Sequence, residues 1–336
     1  MKHLLPQVQK YFKTNLHTHS TISDGRFTPQ QVKNMYKEKG YSILALTDHN
    51  IIADHSDMNE DDFLMLTGVE INFNHQNYRP RFDGQVYHLN LISKRPDNLW
   101  IPSKPPHKYP GGVEYEEKMK YENMDVSYNV DAVNAMIKKA NEKGFLVMYN
   151  HPTWSCQSYP DYANLKGLWA MELCNGECCC SGNDEKNNSR VYKDLLTLGN
   201  KLYPTGTDDM HRKGAVGIAW IMVGAKKLEY DSVISALENG DFYMSTGPEI
   251  FDITLEETIV TVKCSPARQV TLTNHGRFAR RVFAEGAETI TKAEFDITDF
   301  FEKANTENSY ILITVTDKDG NYASTRAYYL SELIEK

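Results

Sequence analysis

The sequence predicts a mixed α/β protein in which repeated strand–helix units surround a parallel sheet and an all-β segment follows. Over roughly the first 250 residues, short apolar runs alternate with amphipathic helical patterns. Beyond about Ile250 the pattern changes to short strands alone. The chain of 336 residues is also longer than a typical domain with a single hydrophobic core. We therefore expect a large α/β domain over 1–249 and a small β domain over 250–336.

The predicted helices carry their own start and stop signals. Thr28 is an N-cap candidate, Gln31 completes a capping box with it, and Gly40 ends the helical pattern. An apolar strand over 42–47 follows at once. The same order of signals recurs over 131–149, where a helix ends at a glycine and a strand begins. Strands that alternate with helices in this way favour a parallel sheet.

Two other stretches depart from this alternation. Residues 95–125 are rich in proline, glycine, tyrosine and lysine and are too long for an ordinary connection, so we interpret them as a functional loop or lid. The strands predicted after residue 250 span 251–255, 259–263, 269–273, 310–316 and 322–329. Their spacing predicts a β-sandwich.

The composition excludes several classes of protein. The formal net charge of −8 argues against broad binding of nucleic acid, which needs a basic surface. No apolar run is long enough to span a membrane, and residues 1–14 lack the apolar core of a secretory signal. We therefore expect a cytoplasmic protein that does not bind membranes. The composition does not indicate an oligomeric state.

Residues able to bind metal ions lie within the apolar runs that predict strands, or directly after them. In a parallel barrel the carboxyl ends of the strands converge on one face, so residues far apart in the sequence meet there. Imidazole and carboxylate groups are the ligands that divalent metals take in such sites. The residues placed in this way are His17, His19, Asp48, His49, Glu70, His88, His151, Asp209 and His211.

A single histidine near a strand is usually a hydrogen-bonded structural residue. His17 and His19 provide a stronger signal, because residues two apart on a strand point to the same side and can bind one ion together. Asp209 and His211 repeat this spacing. Core packing does not explain so many histidines at successive strand ends, and we therefore predict a metal site.

Other candidate groups have simpler interpretations. His75 lies near Arg79 and Arg81 and is a candidate for the substrate pocket, whereas the remaining histidines are expected to be solvated: His3, His55, His107 and His275.

Four cysteines lie close together over 174–180, without a second pair of cysteines at the usual zinc spacing. Reduced thiols beside a strand are the preferred interpretation, and a soft-metal site is the alternative.

Five motifs in this order resemble the PHP (polymerase and histidinol phosphatase) family of metallohydrolases. They are N-L-H-T-H-S-T-I-S-D-G at 15–25, T-D-H-N at 47–50, G-V-E at 68–70, N-H-P at 150–152 and G-T-D-D-M-H at 206–211. The resemblance implies a distorted TIM-like barrel of about seven βα units that binds up to three metal ions. A looser similarity over 238–248, together with the sandwich that follows, is to a two-domain branch that includes carbamate hydrolases.

The resemblance also implies which residues bind the ions. One metal would be bound by His17, His19, Glu70 and Asp209, a second by Glu70, His88 and His151, and a third by Asp24, His49 and His211. Glu70 would bridge two ions. Asp24 stands where some relatives have histidine, and this variant is similar to a branch of phosphoesterases that act on nucleotides.

The acidic residues next to two of these ligands have a different expected role. We assign Asp48 and Asp208 to orienting imidazoles through their second ring nitrogen, and the alternative is that Asp208 binds metal while Asp209 supports it. The ligand types suit zinc, manganese or iron and leave magnesium possible. Two or three divalent ions per chain are expected.

The predicted activity is hydrolysis of a small phosphoester, of the nucleotide or sugar phosphate class, by a metal-bound hydroxide. Glu70, Asp209 and His211 are the predicted catalytic residues, and Arg212 and Lys213 could bind the phosphate oxygens together with His75 and Arg79. The first alternative is a carbamate, ester or amide hydrolase with the same metal centre. The second is a metal-binding module without catalysis.

Overall fold

The structure is a computed structural model that describes residues 1–77, 79, 84–286, 288–303 and 308–333. Arg81, one of the residues considered for the substrate pocket, lies outside the described residues. The strands that begin before residue 250 are β1 (Lys2–His3), β2 (Phe12–Asn15), β3 (Ile43–Leu46), β4 (Leu64–Asn74), β5 (Val86–Ser93), β6 (Trp100–Ile101), β7 (Lys120–Tyr121), β8 (Phe145–Tyr149), β9 (Ala170–Asn175), β10 (Tyr203–Thr207), β11 (Trp220–Val223) and β12 (Phe242–Ser245).

Further strands follow residue 249, and helices occur along the whole chain. The later strands are β13 (Ile250–Glu256), β14 (Ile259–Ala267), β15 (Gln269–Asn274), β16 (Ala279–Phe283), β17 (Ile290–Asp296), β18 (Tyr310–Thr316), β19 (Tyr322–Ser324) and β20 (Tyr328–Tyr329). The α-helices are α1 (Pro29–Glu38), α2 (Val113–Glu116), α3 (Val130–Glu142), α4 (Tyr159–Tyr162), α5 (Gly176–Cys180), α6 (Ser189–Thr197), α7 (Tyr230–Asn239), α8 (Thr298–Lys303) and α9 (Leu330–Leu333).

The predicted local signals are present in the structure. The capping box of α1 is confirmed, since the Thr28 side chain accepts from the Gln31 N–H and the Gln31 side chain accepts from the Thr28 N–H. Helix α3 begins at Val130, where Asn129 is the N-cap. Every helix among the described residues is too short or too polar to cross a bilayer.

The large sheet has the strand order β10-β9-β8-β5-β4-β3-β2-β11-β12 before it continues into later strands. Strands β2, β3 and β4 are parallel, as are β8, β9 and β10. Strand β5 departs from the predicted parallel arrangement, because it is antiparallel to both β4 and β8. The connection between β4 and β5 is too short for the crossover that parallel strands need. The beginning of β5 therefore lies beside the carboxyl end of β4.

Backbone hydrogen bonds join the segments that follow β2 and β10. The Asp209 N–H donates to the His17 carbonyl at 2.9 Å, and the His19 N–H donates to the Met210 carbonyl at 3.0 Å. These bonds bring the carboxyl ends of β2 and β10 together at the edge where the predicted ligands lie. The mixed α/β class is confirmed, and closure into a barrel stays a prediction.

The strand-rich segment after residue 249 is also confirmed. One sheet has the order β1-β13-β14-β17, and the large sheet continues from β12 into β19, β18, β15 and β16, with β20 beside β18. The predicted strand over 322–329 is divided into β19 and β20. Residues of both sheets share a buried cluster that includes Ile253, Val262, Val270 and Ile313. The division at 249/250 stays a prediction.

The segment 95–125 is packed onto the loop that follows β2. A methyl group built on Gly111 would lie 1.9 Å from the Thr21 carbonyl oxygen, and one built on Gly112 would lie 2.0 Å from Ile51 Cδ1. Such distances leave no room for a side chain. The two glycines therefore allow residues 110–112 to lie directly against the loop that carries Asp24.

Candidate metal centre

The nine residues predicted as metal ligands lie together at one edge of the large sheet. Among the described residues, four groups have ligand atoms that all lie within 4.8 Å of one another. The groups are His19, Asp24, His49 and His211; His17, His19 and Glu70; His17, His151 and Asp209; and His49, Glu70 and His88. The groups share members, so they form one continuous cluster. All of these residues precede residue 250.

Glu70, on β4, lies at the centre of the cluster. Its carboxylate is close to five imidazoles: His17 Nε2 at 3.1 Å, His19 Nε2 at 3.4 Å, His49 Nδ1 at 2.9 Å, His88 Nδ1 at 3.1 Å and His151 Nε2 at 3.4 Å. The side chain is 1% exposed. A buried carboxylate among imidazoles on several sides can bridge two ions, as the resemblance implied.

Two further carboxylates lie on either side of this centre. Asp209 Oδ1 is 3.2 Å from His17 Nε2 and 3.0 Å from His19 Nε2. Asp24 Oδ1 is 3.2 Å from His211 Nε2, and Asp24 Oδ2 is 3.7 Å from the nearer ring nitrogen of His49. The Asp24 side chain is 48% exposed, whereas that of Asp209 is 9% exposed. The Asp24 side of the cluster therefore faces solvent.

Several buried polar atoms of the cluster have no hydrogen bond in the described part of the chain. They are His19 Nδ1, Glu70 Oε2, His88 Nε2 and Asp209 Oδ1. A buried polar atom without a partner costs about 1–3 kcal/mol. Divalent metal ions would satisfy such atoms, and imidazole and carboxylate are suitable donors for them. The residues present therefore fit metal ions.

Backbone strain occurs at two residues of the cluster. His151 has φ of 24° and Asp209 has φ of 50°, both in the left-handed region that residues other than glycine rarely adopt. His151 is the second residue after the end of β8, and Asp209 is the second residue after the end of β10. The unusual backbone directs these two side chains into the cluster.

The pKa shifts of His88 and Glu70 favour the protonation states that bind metals, whereas nearby carboxylates raise the pKa values of four other imidazoles of the cluster despite their burial, those of His17, His49, His151 and His211. Burial lowers the pKa of His88 to about 4 despite the neighbouring Glu70, which keeps this imidazole neutral. Burial raises the pKa of Glu70, but the His88 and His17 imidazoles more than offset it and hold that pKa well below its usual range. A neutral imidazole and an ionised carboxylate are the forms that coordinate metals.

A comparison with models of known protein families assigns the chain to a family. The model of the PHP domain matches residues 15–216, which is more than half of the chain. The chain belongs to the PHP domain family. This result confirms the resemblance and the prediction of an enzyme, a metal-dependent hydrolase. No curated protein sequence matches the chain significantly.

Several solved structures are remotely similar to this chain. A two-domain protein from Bacteroides vulgatus with a predicted PHP-like metal-dependent phosphoesterase is 15% identical, with 98% of each chain covered and a TM-score of 0.45. A metal-dependent phosphoesterase assigned in Bifidobacterium adolescentis is 15% identical over 62% of this chain and 90% of that one, with a TM-score of 0.39. An amidohydrolase from Chromobacterium violaceum, with sulfate and no metal, is 14% identical over 59% and 87%, with a TM-score of 0.36.

The carboxylates of Asp48 and Asp208 do not orient imidazoles in this PHP domain. Asp48 accepts from the N–H groups of Ser20 at 2.8 Å and Ser23 at 3.0 Å, and it supports the loop after β2. Asp208 accepts from three consecutive N–H groups over 217–219. Both assignments to imidazoles are therefore wrong. The cause is that both carboxylates accept from backbone N–H groups of loops, and adjacency to a ligand in the sequence does not reveal these partners.

Glu172, on β9, has the role that was assigned to those aspartates. Its Oε1 lies 2.6 Å from His17 Nδ1 and accepts from the Thr207 hydroxyl at 2.6 Å. Its Oε2 accepts from the His151 N–H at 2.8 Å and from Asn175 Nδ2 at 3.0 Å. One buried carboxylate therefore fixes the orientation of His17 and the backbone of His151. A carboxylate within an otherwise apolar strand was the sequence signal for it.

Replacing Glu172 by glutamine is expected to weaken metal binding by about 10- to 100-fold, because partners of ligand imidazoles contribute to that extent. The amide keeps the size of the side chain but loses its charge, and its nitrogen cannot accept from the His151 N–H. Competition with a graded series of chelators would measure the affinity. Glu142→Gln, on the exposed surface of α3, is the matched control. Equal affinities in the two variants would contradict this role for Glu172.

A cavity of about 650 Å³ opens on the cluster. Its outer wall includes Arg26, Asn74, His107, Tyr109, Trp154 and Arg212. The Trp154 ring lies against the imidazoles of His88 and His151, with centroids 5.5 Å and 4.9 Å apart. A substrate that reaches the metal ligands must therefore pass this partly aromatic wall.

The predicted substrate-binding residues are distributed unevenly around this cavity. Arg212 lines it, and its guanidinium pairs with Glu177 Oε1 at 2.8 Å and with the Ser181 hydroxyl at 2.6 Å. The cavity lining among the described residues does not include His75, Arg79 or Lys213. The His75 ring lies instead against Tyr128, 5.5 Å between centroids.

The histidines that were expected to be solvated, and the cysteines, can also be compared with the structure. His55 is 6% exposed, so its predicted solvation is wrong, and its ring lies near Tyr115 of the segment 95–125. His107 is exposed as expected, but it also lines the cavity.

The six cysteines are free, and none of them belongs to the metal-competent groups found in the described residues. Cys178 lines the cavity near Asp209.

Proposed function

We propose that this PHP protein hydrolyses phosphoesters of small molecules, in the class of nucleotides or sugar phosphates. The observation that supports it most is the cluster of nine imidazole and carboxylate residues at the base of a cavity that also contains two guanidinium groups, those of Arg26 and Arg212. Cationic groups above a site that fits dications favour an anionic substrate.

We propose as ligands the nine residues predicted from the sequence, with Glu70, Asp209 and His211 as the catalytic group. Divalent ions bound there would polarise the substrate and lower the pKa of water. Glu70 and Asp209 lie within ion-pair distance of the imidazoles around them, and the Trp154 ring lies against the rings of His88 and His151. The protein thus supplies an oriented ligand set and a partly dry wall beside it.

Hydrolysis of a carbamate, ester or amide is the second candidate. The aromatic part of the wall, formed by Tyr109 and Trp154, supports it, because such a surface suits an apolar neutral substrate. The same cluster could serve either reaction. The charge of the preferred substrate distinguishes the two candidates.

A substrate panel tests the proposal. With manganese supplied, kcat/KM for a phosphomonoester is expected to exceed that for an aryl carbamate or ester of similar size by at least about 10-fold, because dications attract a dianion much more strongly than a neutral carbonyl. Nucleotides, sugar phosphates, aryl esters and aryl carbamates would be compared by product release. His17→Ala provides the background rate. Turnover of carbamates or esters with no turnover of any phosphoester would refute the phosphoesterase assignment.

A further inference from the structure

We propose that Arg26 binds the phosphate of the substrate and thereby makes the cavity selective for anions. This inference rests on the proposed function, since it names the side chain that recognises the anionic group. Arg26 lies in the cavity lining beside Asp24 and His211. It was not among the substrate-binding residues predicted from the sequence, which included Arg212 in its place.

The backbone of Arg26 is fixed between two segments that carry proposed ligands. The Arg26 N–H donates to the His211 carbonyl at 3.3 Å. The preceding Gly25 N–H donates to the Ser20 carbonyl at 2.9 Å, and a methyl group built on Gly25 would lie 2.6 Å from the His19 carbonyl carbon. The loop therefore lies against the cluster, and the Arg26 side chain begins at a defined position beside it.

The charge of Arg26 is available for a ligand. Its side chain is exposed, and the guanidinium has no ion-pair or hydrogen-bond partner within the described residues. Arg212 differs, because Glu177 and Ser181 already bind its guanidinium. The other carboxylates of the cavity lining, those of Asp24, Glu70 and Asp209, belong to the metal-competent groups. Arg26 is thus the guanidinium in this lining whose charge no carboxylate compensates.

The chemistry of the guanidinium fits a phosphate. Its planar set of N–H donors can bind two oxygens of a tetrahedral anion at once, which an ammonium group cannot do with the same geometry. A neutral ester or carbamate offers no such charge. Arg26 therefore favours phosphoesters over neutral substrates, and it does so outside the ligand cluster.

Calorimetric titration of the metal-loaded protein with inorganic phosphate tests this inference. Arg26→Ala is expected to weaken phosphate binding by about 10-fold, in the range for a hydrogen bond to a charged group. Arg26→Lys should give an intermediate affinity. Lys186→Ala removes an exposed positive charge that is not in the cavity lining, and its affinity should stay within about twofold of the wild type, since exposed charges are screened.

Kinetics with a phosphomonoester provide an independent measurement. Arg26→Ala should raise KM by about 10-fold and change kcat by less than about threefold, because the contact exists before and during the reaction. Binding of phosphate to Arg26→Ala with the affinity of the wild type would refute the inference, as would a wild type that does not bind phosphate. Arg26-dependent phosphate binding by a protein that hydrolyses no phosphoester would support the inference and refute the proposed function.

Discussion

Replacing Glu70 by glutamine is expected to lower kcat by at least about 1000-fold and to reduce the number of metal ions bound per chain. Glutamine has nearly the same shape but no charge, and the five imidazoles around Glu70 would then face an amide. Loss of one preorganised electrostatic group in an active site costs about 100- to 1000-fold, and this group would also bridge ions. Steady-state kinetics and elemental analysis would measure the two effects.

The control for this experiment is Glu238→Gln. Glu238 is an exposed residue of α7 that pairs with Lys94, and it belongs neither to the cavity lining nor to the metal-competent groups found in the described residues. That variant should keep its activity and its metal content. Circular dichroism of Glu70→Gln would establish that the fold is retained. Full metal content together with wild-type kcat in Glu70→Gln would exclude a bridging role for this carboxylate.

Replacing Gly111 by alanine is expected to destabilise the protein by about 1–3 kcal/mol and to lower its activity. The added methyl group would lie 1.9 Å from the Thr21 carbonyl oxygen, so the backbone of one segment must move. That movement separates residues 110–112 from the loop that carries Asp24, and it displaces Tyr109 in the cavity wall. Chemical denaturation and steady-state kinetics would measure the changes in stability and activity.

Gly276 provides the matched control, because a methyl group built there would meet Asn274 Oδ1 at an ordinary 3.5 Å. Gly276 also has no positive φ, so alanine adds no backbone strain. Gly276→Ala should therefore have the stability and activity of the wild type. If Gly111→Ala behaved like this control, the segment 95–125 would not be a fixed part of the cavity wall.

The convergence of the metal-competent residues was predictable because apolar runs locate strands and the ligands stand at their ends. His88 also lies in the cluster, although its strand is antiparallel to its neighbours. The direction of β5 was not predictable, since a period of two residues is the same in both directions. An antiparallel strand reaches the shared edge with its beginning, where His88 is the third residue.

The residues around the ligands were less predictable, because their partners are distant in the sequence. Glu172 reaches His17 across the sheet, and Glu177 neutralises Arg212 from the start of another helix. Adjacency in the sequence therefore suggested Arg212 for the phosphate, whereas the pairing in the fold points to Arg26. Strands β16 and β17 were missed because charged residues interrupt their apolar positions.

The hydrogen bonds between β12 and β19 have a consequence for how the chain folds. Met244 pairs with Ser324, and Ser245 with Ala323, while β1 at the start of the chain pairs with β13. Strand pairing thus joins the two regions in both sheets. Neither can complete its hydrogen bonding until the other has formed, which favours cooperative assembly. A nascent chain that had emerged only to β12 would expose an unpaired strand edge, the kind of surface through which proteins aggregate.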